Sequence, residues 1–154
     1  MKTLLKTLSM LVICVTISNV SWALNADELK YLGGKYIQFM ASIGKGEEFA
    51  SKMPRIFHPN CEKIENGTLL LNTFDGHVAQ LKKAFDFLGC WTIEPLSVLP
   101  TAQENKCVIY FKWYTDESKQ HATMAILNFN EDGLMTKIDE MWNKYQSQPL
   151  VSVE

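Results

Sequence analysis

Residues 122–143, ATMAILNFNEDGLMTKIDEMWN, hold two alternating apolar runs on either side of Asn130-Glu131-Asp132-Gly133. Period-two hydrophobicity around an Asp-Gly turn predicts a long antiparallel β-hairpin. In its second arm Leu134, Thr136, Ile138, Glu140 and Trp142 share one face, and Met135, Lys137, Asp139 and Met141 share the other. The first set is the more apolar, so it is expected to turn to the core and to carry Glu140 in with it. An inward carboxylate is a group that desolvation either tunes for acid or base work or makes costly.

Working outward from the hairpin, two more strands precede it. Trp91–Pro100 and Lys106–Thr115 alternate in the same way, and Pro95, which has no N–H to give a ladder, places the first at an edge or on a bulge. Upstream, Cys61–Ile64 and Thr68–Leu71 flank Glu65-Asn66-Gly67 and read as a short hairpin on an Asn-Gly turn. Asn66-Gly67-Thr68 also has the spacing of a glycosylation acceptor, but the turn reading is preferred.

Three helices are expected. Asn25 followed by Glu28 has the spacing of a capping box, and Leu29, Leu32, Tyr36, Phe39, Met40 and Ile43 then recur at helical period up to Gly44. Gly33-Gly34 interrupts that helix and points to close packing or a bend. A shorter helix is expected from about Glu47 to Met53, bounded by Pro54. A third is expected to start on Asp75 as its cap, to show Val78, Leu81, Ala84, Phe85 and Leu88 as an apolar stripe, and to stop at Gly89. The order α-α-β-β-α-β-β-β-β predicts an α+β domain with a curved, mostly antiparallel sheet.

The first 23 residues differ in kind from the rest. Lys2 and Lys6 open the chain, Leu8 to Val20 is mostly apolar, and Ser21-Trp22-Ala23 supplies small residues at the cleavage positions, so residues 1–23 read as a secretory signal peptide and 24–154 as one domain. The apolar run is shorter than the ~20 residues a bilayer-spanning helix needs. Export to the periplasm or medium is therefore expected, without stable membrane insertion after cleavage.

Loss of the leader leaves 131 residues with 13 basic and 17 acidic side chains. Such a surface disfavours nucleic acid, whose binding needs clustered cations. Arg55 is the sole arginine, which also removes most candidates for bidentate anion recognition. Cys61, Cys90 and Cys107 remain, an odd number that requires a free thiol or an intermolecular bridge. Cys90 and Cys107 would lie at opposite ends of one hairpin, ~30 Å apart, too far to bond. No Cys-x-x-Cys or His-x-x-x-His spacing occurs, so metal binding is disfavoured, and no cofactor is implied.

The element order, with Phe57-His58-Pro59-Asn60 after the second helix and Asp132-Gly133 followed by Ile138-Asp139-Glu140-Met141-Trp142, resembles the nuclear transport factor 2-like (SnoaL-like) superfamily over the whole mature chain. The resemblance implies a cone: a strongly bent sheet wrapped around three helices, with an apolar pocket between. That superfamily includes isomerases, dehydratases, epoxide hydrolases, polyketide cyclases and members that only bind. Epoxide hydrolysis is disfavoured, since it needs an arginine between two carboxylates and Arg55 lies outside the corresponding strand.

Glu140 is the leading candidate for a general base or acid, weighed against an idle carboxylate at a pocket rim. His58 is a weaker candidate, since a histidine before proline is more often a turn residue; His77 and His121 read as solvent-facing. Tyr36, Phe39, Phe57, Phe85, Phe111, Trp113 and Trp142 could line a site for a flat apolar ligand, and the same rings could simply fill the core. Two functions stay open: a module holding a small apolar or amphipathic molecule, or an isomerase, dehydratase or cyclase in which Glu140 moves a proton. A third, protein contact through the outer sheet face, rests on Tyr110, Tyr114, Met135 and Met141, which would suit a homodimer.

Overall fold

The computed structural model describes residues 23–101, 104–115 and 120–144. The leader assignment therefore lies, all but Ala23, outside the described residues. Helix α1 spans Ala26–Gly44 and starts as its sequence requires: Asn25 Oδ1 accepts from the backbone N–H of Asp27 and Glu28, and Glu28 Oε2 accepts from Asn25 N at 2.8 Å. This is the reciprocal capping box. Gly33 is in the helix because strand side chains sit where a Cβ would be; it would meet Val98 Cγ1 at 2.7 Å and Cys107 Sγ at 2.8 Å.

The expected second helix does not form. A single 3-10 turn, Met53–Arg55, stands in its place. Glu48 turns its carboxylate onto Ser51, accepting from its backbone N–H at 3.1 Å and from its hydroxyl, which favours a turn over a helix. Pro54 then removes a donor that a continuing helix would need. Among the described residues there are thus two α-helices, not the three expected.

Strands β1 (Phe57–Glu65) and β2 (Thr68–Leu71) form the hairpin on Asn66-Gly67, both with positive φ, 48° and 81°. That pair of left-handed residues is what a two-residue hairpin turn demands. Strand β1 begins at Phe57, four residues before the expected start, and so takes in Phe57-His58-Pro59-Asn60. Helix α2 (Phe74–Leu88) is capped by Thr73, whose Oγ1 accepts from Gly76 N at 3.2 Å, and not by Asp75. It stops at Gly89, φ 70°.

Strands β3 (Trp91–Pro100), β4 (Lys106–Thr115), β5 (Gln120–Phe129) and β6 (Met135–Lys144) follow. The six strands lie in the order β2-β1-β6-β5-β4-β3, antiparallel throughout except for β1 beside β6. Strand β3 is an edge strand and its ladder slips between Pro95 and Ser97, so the proline is accommodated in both expected ways.

The last strand departs from simple alternation. Asn128 pairs with Lys137 but Phe129 pairs with Met135, leaving Thr136 as an extra residue. This bulge turns Met135 inward, where it is fully buried beside Ile138, while Ile138, Glu140 and Trp142 keep the expected inner face. Met135 is therefore a core residue and not part of the outer face. It shares one buried core with Leu29, Tyr36, Phe39 and Ile43 from α1, Leu81 from α2, and Cys107, Ile109, Phe111, Ala125 and Leu127 from the sheet.

Candidate functional site

The parallel pairing of β1 with β6 builds the site. It sets Lys63 beside Ile138 and Glu65 beside Glu140, so that side chains far apart in sequence share the helix-covered face. Lys63 Nζ lies 3.6 Å from Glu140 Oε2 and 3.8 Å from Glu65 Oε2. The Lys63 and Glu140 side chains are only 11% and 14% exposed. Both separations are too long for hydrogen bonds, so one ammonium neutralises part of two carboxylates without bonding to either.

Glu65 has a second partner: its Oε1 accepts from Trp142 Nε1 at 2.6 Å. The hairpin turn is tied to the same place, with Asn66 N donating to the Glu140 carbonyl at 2.8 Å. Glu140's carboxylate, by contrast, accepts no hydrogen bond from the described residues. Tyr36 stands on α1, close enough for the Glu140 carboxylate to act on its hydroxyl. It is 2% exposed, and its hydroxyl makes no hydrogen bond to the described residues. Burial, then the Glu140 carboxylate, then Cys61 hold its pKa well above the usual tyrosine value, so the hydroxyl remains a donor.

The aromatic set divides. Trp113 stacks on His121 at 4.1 Å, and His121 meets Trp142 edge-on at 6.1 Å, a chain of rings across β4, β5 and β6 next to the polar group. Trp113 Nε1 donates to Thr123 Oγ1 at 3.2 Å. Phe39, Phe57 and Phe111 are core residues, with Phe39 and Phe57 in edge contact at 5.5 Å. Phe85 packs on Trp91 instead, at 5.9 Å.

His58 is half-buried in β1, and its Nδ1 accepts from Asn60 N at 3.2 Å, a local turn bond. His77 and His121 are not solvent-facing; they are 2% and 5% exposed. His77 lies against the Phe57 ring and its Nε2 is 2.9 Å from the Cys61 carbonyl, which fixes that nitrogen as the donor. Burial, with Lys63 adding to it, lowers the His77 pKa against the opposing bond to Cys61. The unfolded imidazole, with its ordinary value of 6.5, takes up a proton first as pH falls, so stability declines below that pH. The urea midpoint is therefore expected to drop between pH 7 and 5, and His77→Gln, which keeps a donor for Cys61 but cannot titrate, should flatten that drop. Parallel profiles for the two proteins would remove His77 from the account.

Cys61 and Cys107 are buried thiols pushed up to about 12, and Cys90 is exposed; all three are unbridged. Among the described residues no three His, Cys, Asp or Glu side chains are grouped to hold a metal ion. On the opposite sheet face Leu99, Met124, Ile126 and Met141 are exposed.

No family model matches the sequence, and no curated protein does. Solved structures do. A candidate isomerase of the SnoaL-like family from Agrobacterium tumefaciens superposes with a TM-score of 0.61 over 76% of this chain and 98% of its own, at 9% identity. The epoxide hydrolase/cyclase-like enzyme SalBIII of pyran-ring formation in the polyether salinomycin gives 0.61 over 76% and 92%, at 10% identity. A protein of unknown function with a cystatin-like fold from Methylobium petroleophilum gives 0.62 over 84% of each chain, at 16% identity. The chain has the nuclear transport factor 2-like, SnoaL-like α+β fold: among the described residues, two helices packed on a mixed, open six-stranded sheet.

Proposed function

We propose that this domain binds a small amphipathic molecule on the helix-covered face of the sheet, with the polar end at Tyr36, Lys63 and Glu140 and the apolar body along the Trp113, His121 and Trp142 rings. The observation that carries the reading is a convergence: a hydroxyl, an ammonium and a carboxylate, largely removed from water, each with hydrogen-bonding capacity that the described residues leave unused. Ligand sites place a few convergent polar groups beside apolar and aromatic side chains, and spare bonding capacity on those groups is what a ligand's polar end can use. The fold is one in which ligand-binding and enzyme-type domains both occur.

The reading includes export. Cleavage after Ala23 would make the Leu24 nitrogen, which donates to Asn105 Oδ1 at 2.8 Å, the mature amino terminus.

The experiment is a ligand screen by thermal shift on the purified protein, repeated on Tyr36→Phe. Binders are expected, and loss of one hydroxyl should weaken those with a polar end by about 3- to 10-fold. A screen without binders, or binders indifferent to Tyr36→Phe and Glu140→Gln alike, would overturn it. A second reading, proton transfer, draws on the same convergence: Glu140 as base, with Tyr36 as a neutral donor beside it. In that case Glu140→Gln should cut turnover of a bound substrate by about 100-fold or more while binding survives.

A further inference from the structure

We infer that the site takes uncharged ligands whose polar end carries both a hydrogen-bond donor and an acceptor, of the carboxamide or hydroxycarbonyl class, and discriminates against the matching anions and cations. The inference rests on the binding reading above and narrows it.

The inventory of unused bonds decides the class. Lys63 offers three N–H donors, and its nearest carboxylate oxygens, at 3.6 and 3.8 Å, lie beyond hydrogen-bond range. Tyr36 adds an O–H donor on a residue only 2% exposed. These donors need an acceptor that the ligand must bring. Glu140 presents the complementary need: its carboxylate meets Lys63 only as an ion pair, so it awaits a donor. An ammonium ligand could serve Glu140 but has no acceptor for Tyr36 or Lys63. A carboxylate ligand could serve Tyr36 and Lys63 but has no donor for Glu140.

Charge works against the anion as well. Glu65 and Glu140 outnumber Lys63, so the group carries one net negative charge in a setting with little water to screen it. Glu65 cannot turn away to relieve that charge, since its Oε1 is held by Trp142 Nε1 at 2.6 Å. A group with one donor and one acceptor fits both sides without adding charge. The neighbouring rings of Trp113, His121 and Trp142 suit a flat apolar body attached to it.

Three probes of one shape separate the possibilities: 2-naphthamide, 2-naphthoate and 2-naphthylmethylammonium, titrated calorimetrically against the purified protein at pH 7. The amide is expected to bind at least about 10-fold more tightly than either charged analogue, the scale of one hydrogen bond to a charged group. In Glu140→Gln the net charge of the group is removed, and naphthoate should gain about 10-fold while the ammonium probe weakens further. Tyr36→Phe, which adds no charge and keeps the ring, should reduce the amide's lead over the ammonium probe if Glu140→Gln fails to fold. Equal affinities for the three, or a preference for naphthoate in the unaltered protein, would overturn the inference and leave the binding reading standing. If none of the three binds while other screened molecules do, the inference alone fails; if nothing binds, both fail.

Discussion

Lys63→Met should lower the stability of the folded domain by about 3 kcal/mol, read from urea unfolding at pH 7. The substitution keeps the length and apolar stem of the side chain, so little packing is lost. What it removes is the cation between Glu65 and Glu140, which leaves two carboxylates on adjacent strands facing each other in a largely dry place. Removing one member of a buried ionic group costs about 3–5 kcal/mol, because the remaining charge keeps its desolvation penalty and loses its compensation. Two features put this case at the lower end: the contacts are long, and the Glu65 side chain is 24% exposed. Adding Glu140→Gln to Lys63→Met should recover about half of the loss, since a single carboxylate held by Trp142 then remains. Lys52, whose pair with Glu47 is about half exposed on both sides, is the internal control. Its replacement by Met should leave the urea midpoint essentially unchanged. Equal small effects at the two lysines would mean that the Lys63 group is solvated and that the site as drawn does not exist.

The expectations that held and those that did not differ in range. Local chemistry was legible: the Asn25/Glu28 box, the Asn66-Gly67 turn, the Gly89 stop and the Pro95 irregularity each depend on residues within a few positions of one another. The partners of Glu140 were not legible. Cys61, Lys63 and Glu65 alternate with Glu62 and Ile64, and composition alone makes the second pair no worse a candidate for the inner face. Only the parallel pairing of β1 with β6, which joins positions some 75 residues apart, turns Lys63 and Glu65 towards Glu140. His77 departs from its expected exposure for a similar reason. Near a helix start a histidine commonly faces water, but β1 passes there and offers the Cys61 carbonyl and the Phe57 ring. The lost second helix shows local competition that periodicity does not register, with Glu48 engaged by Ser51 one turn ahead of Pro54.

The bulge in β6 carries the other large expected effect: Met135→Lys should abolish cooperative folding, whereas Leu134→Lys should cost about 1 kcal/mol. Uninterrupted alternation from Ile138 back to Leu134 would put Leu134 inside and Met135 outside, and would reverse this expectation. The extra residue at Thr136 inverts the order for the first part of the strand. Met135 is then fully buried, paired with Phe129 and one bulge away from Ile138, and its backbone N–H donates to the Ile56 carbonyl at 2.8 Å. A lysine there would stand in the buried core with Phe57 and Phe129 as its ladder partners and no carboxylate at either pairing. An unpaired buried ammonium costs several kcal/mol, about 5 here, which equals the whole stability of many domains of this size. Leu134 is half-buried beside the turn, so a lysine can run its stem along the surface and hold its charge in water. Circular dichroism with thermal melting decides the matter: a folded Met135→Lys protein together with an unfolded Leu134→Lys protein would remove the bulge and, with it, the offset that lets Met135 and Glu140 face the same side of the sheet from positions of opposite parity.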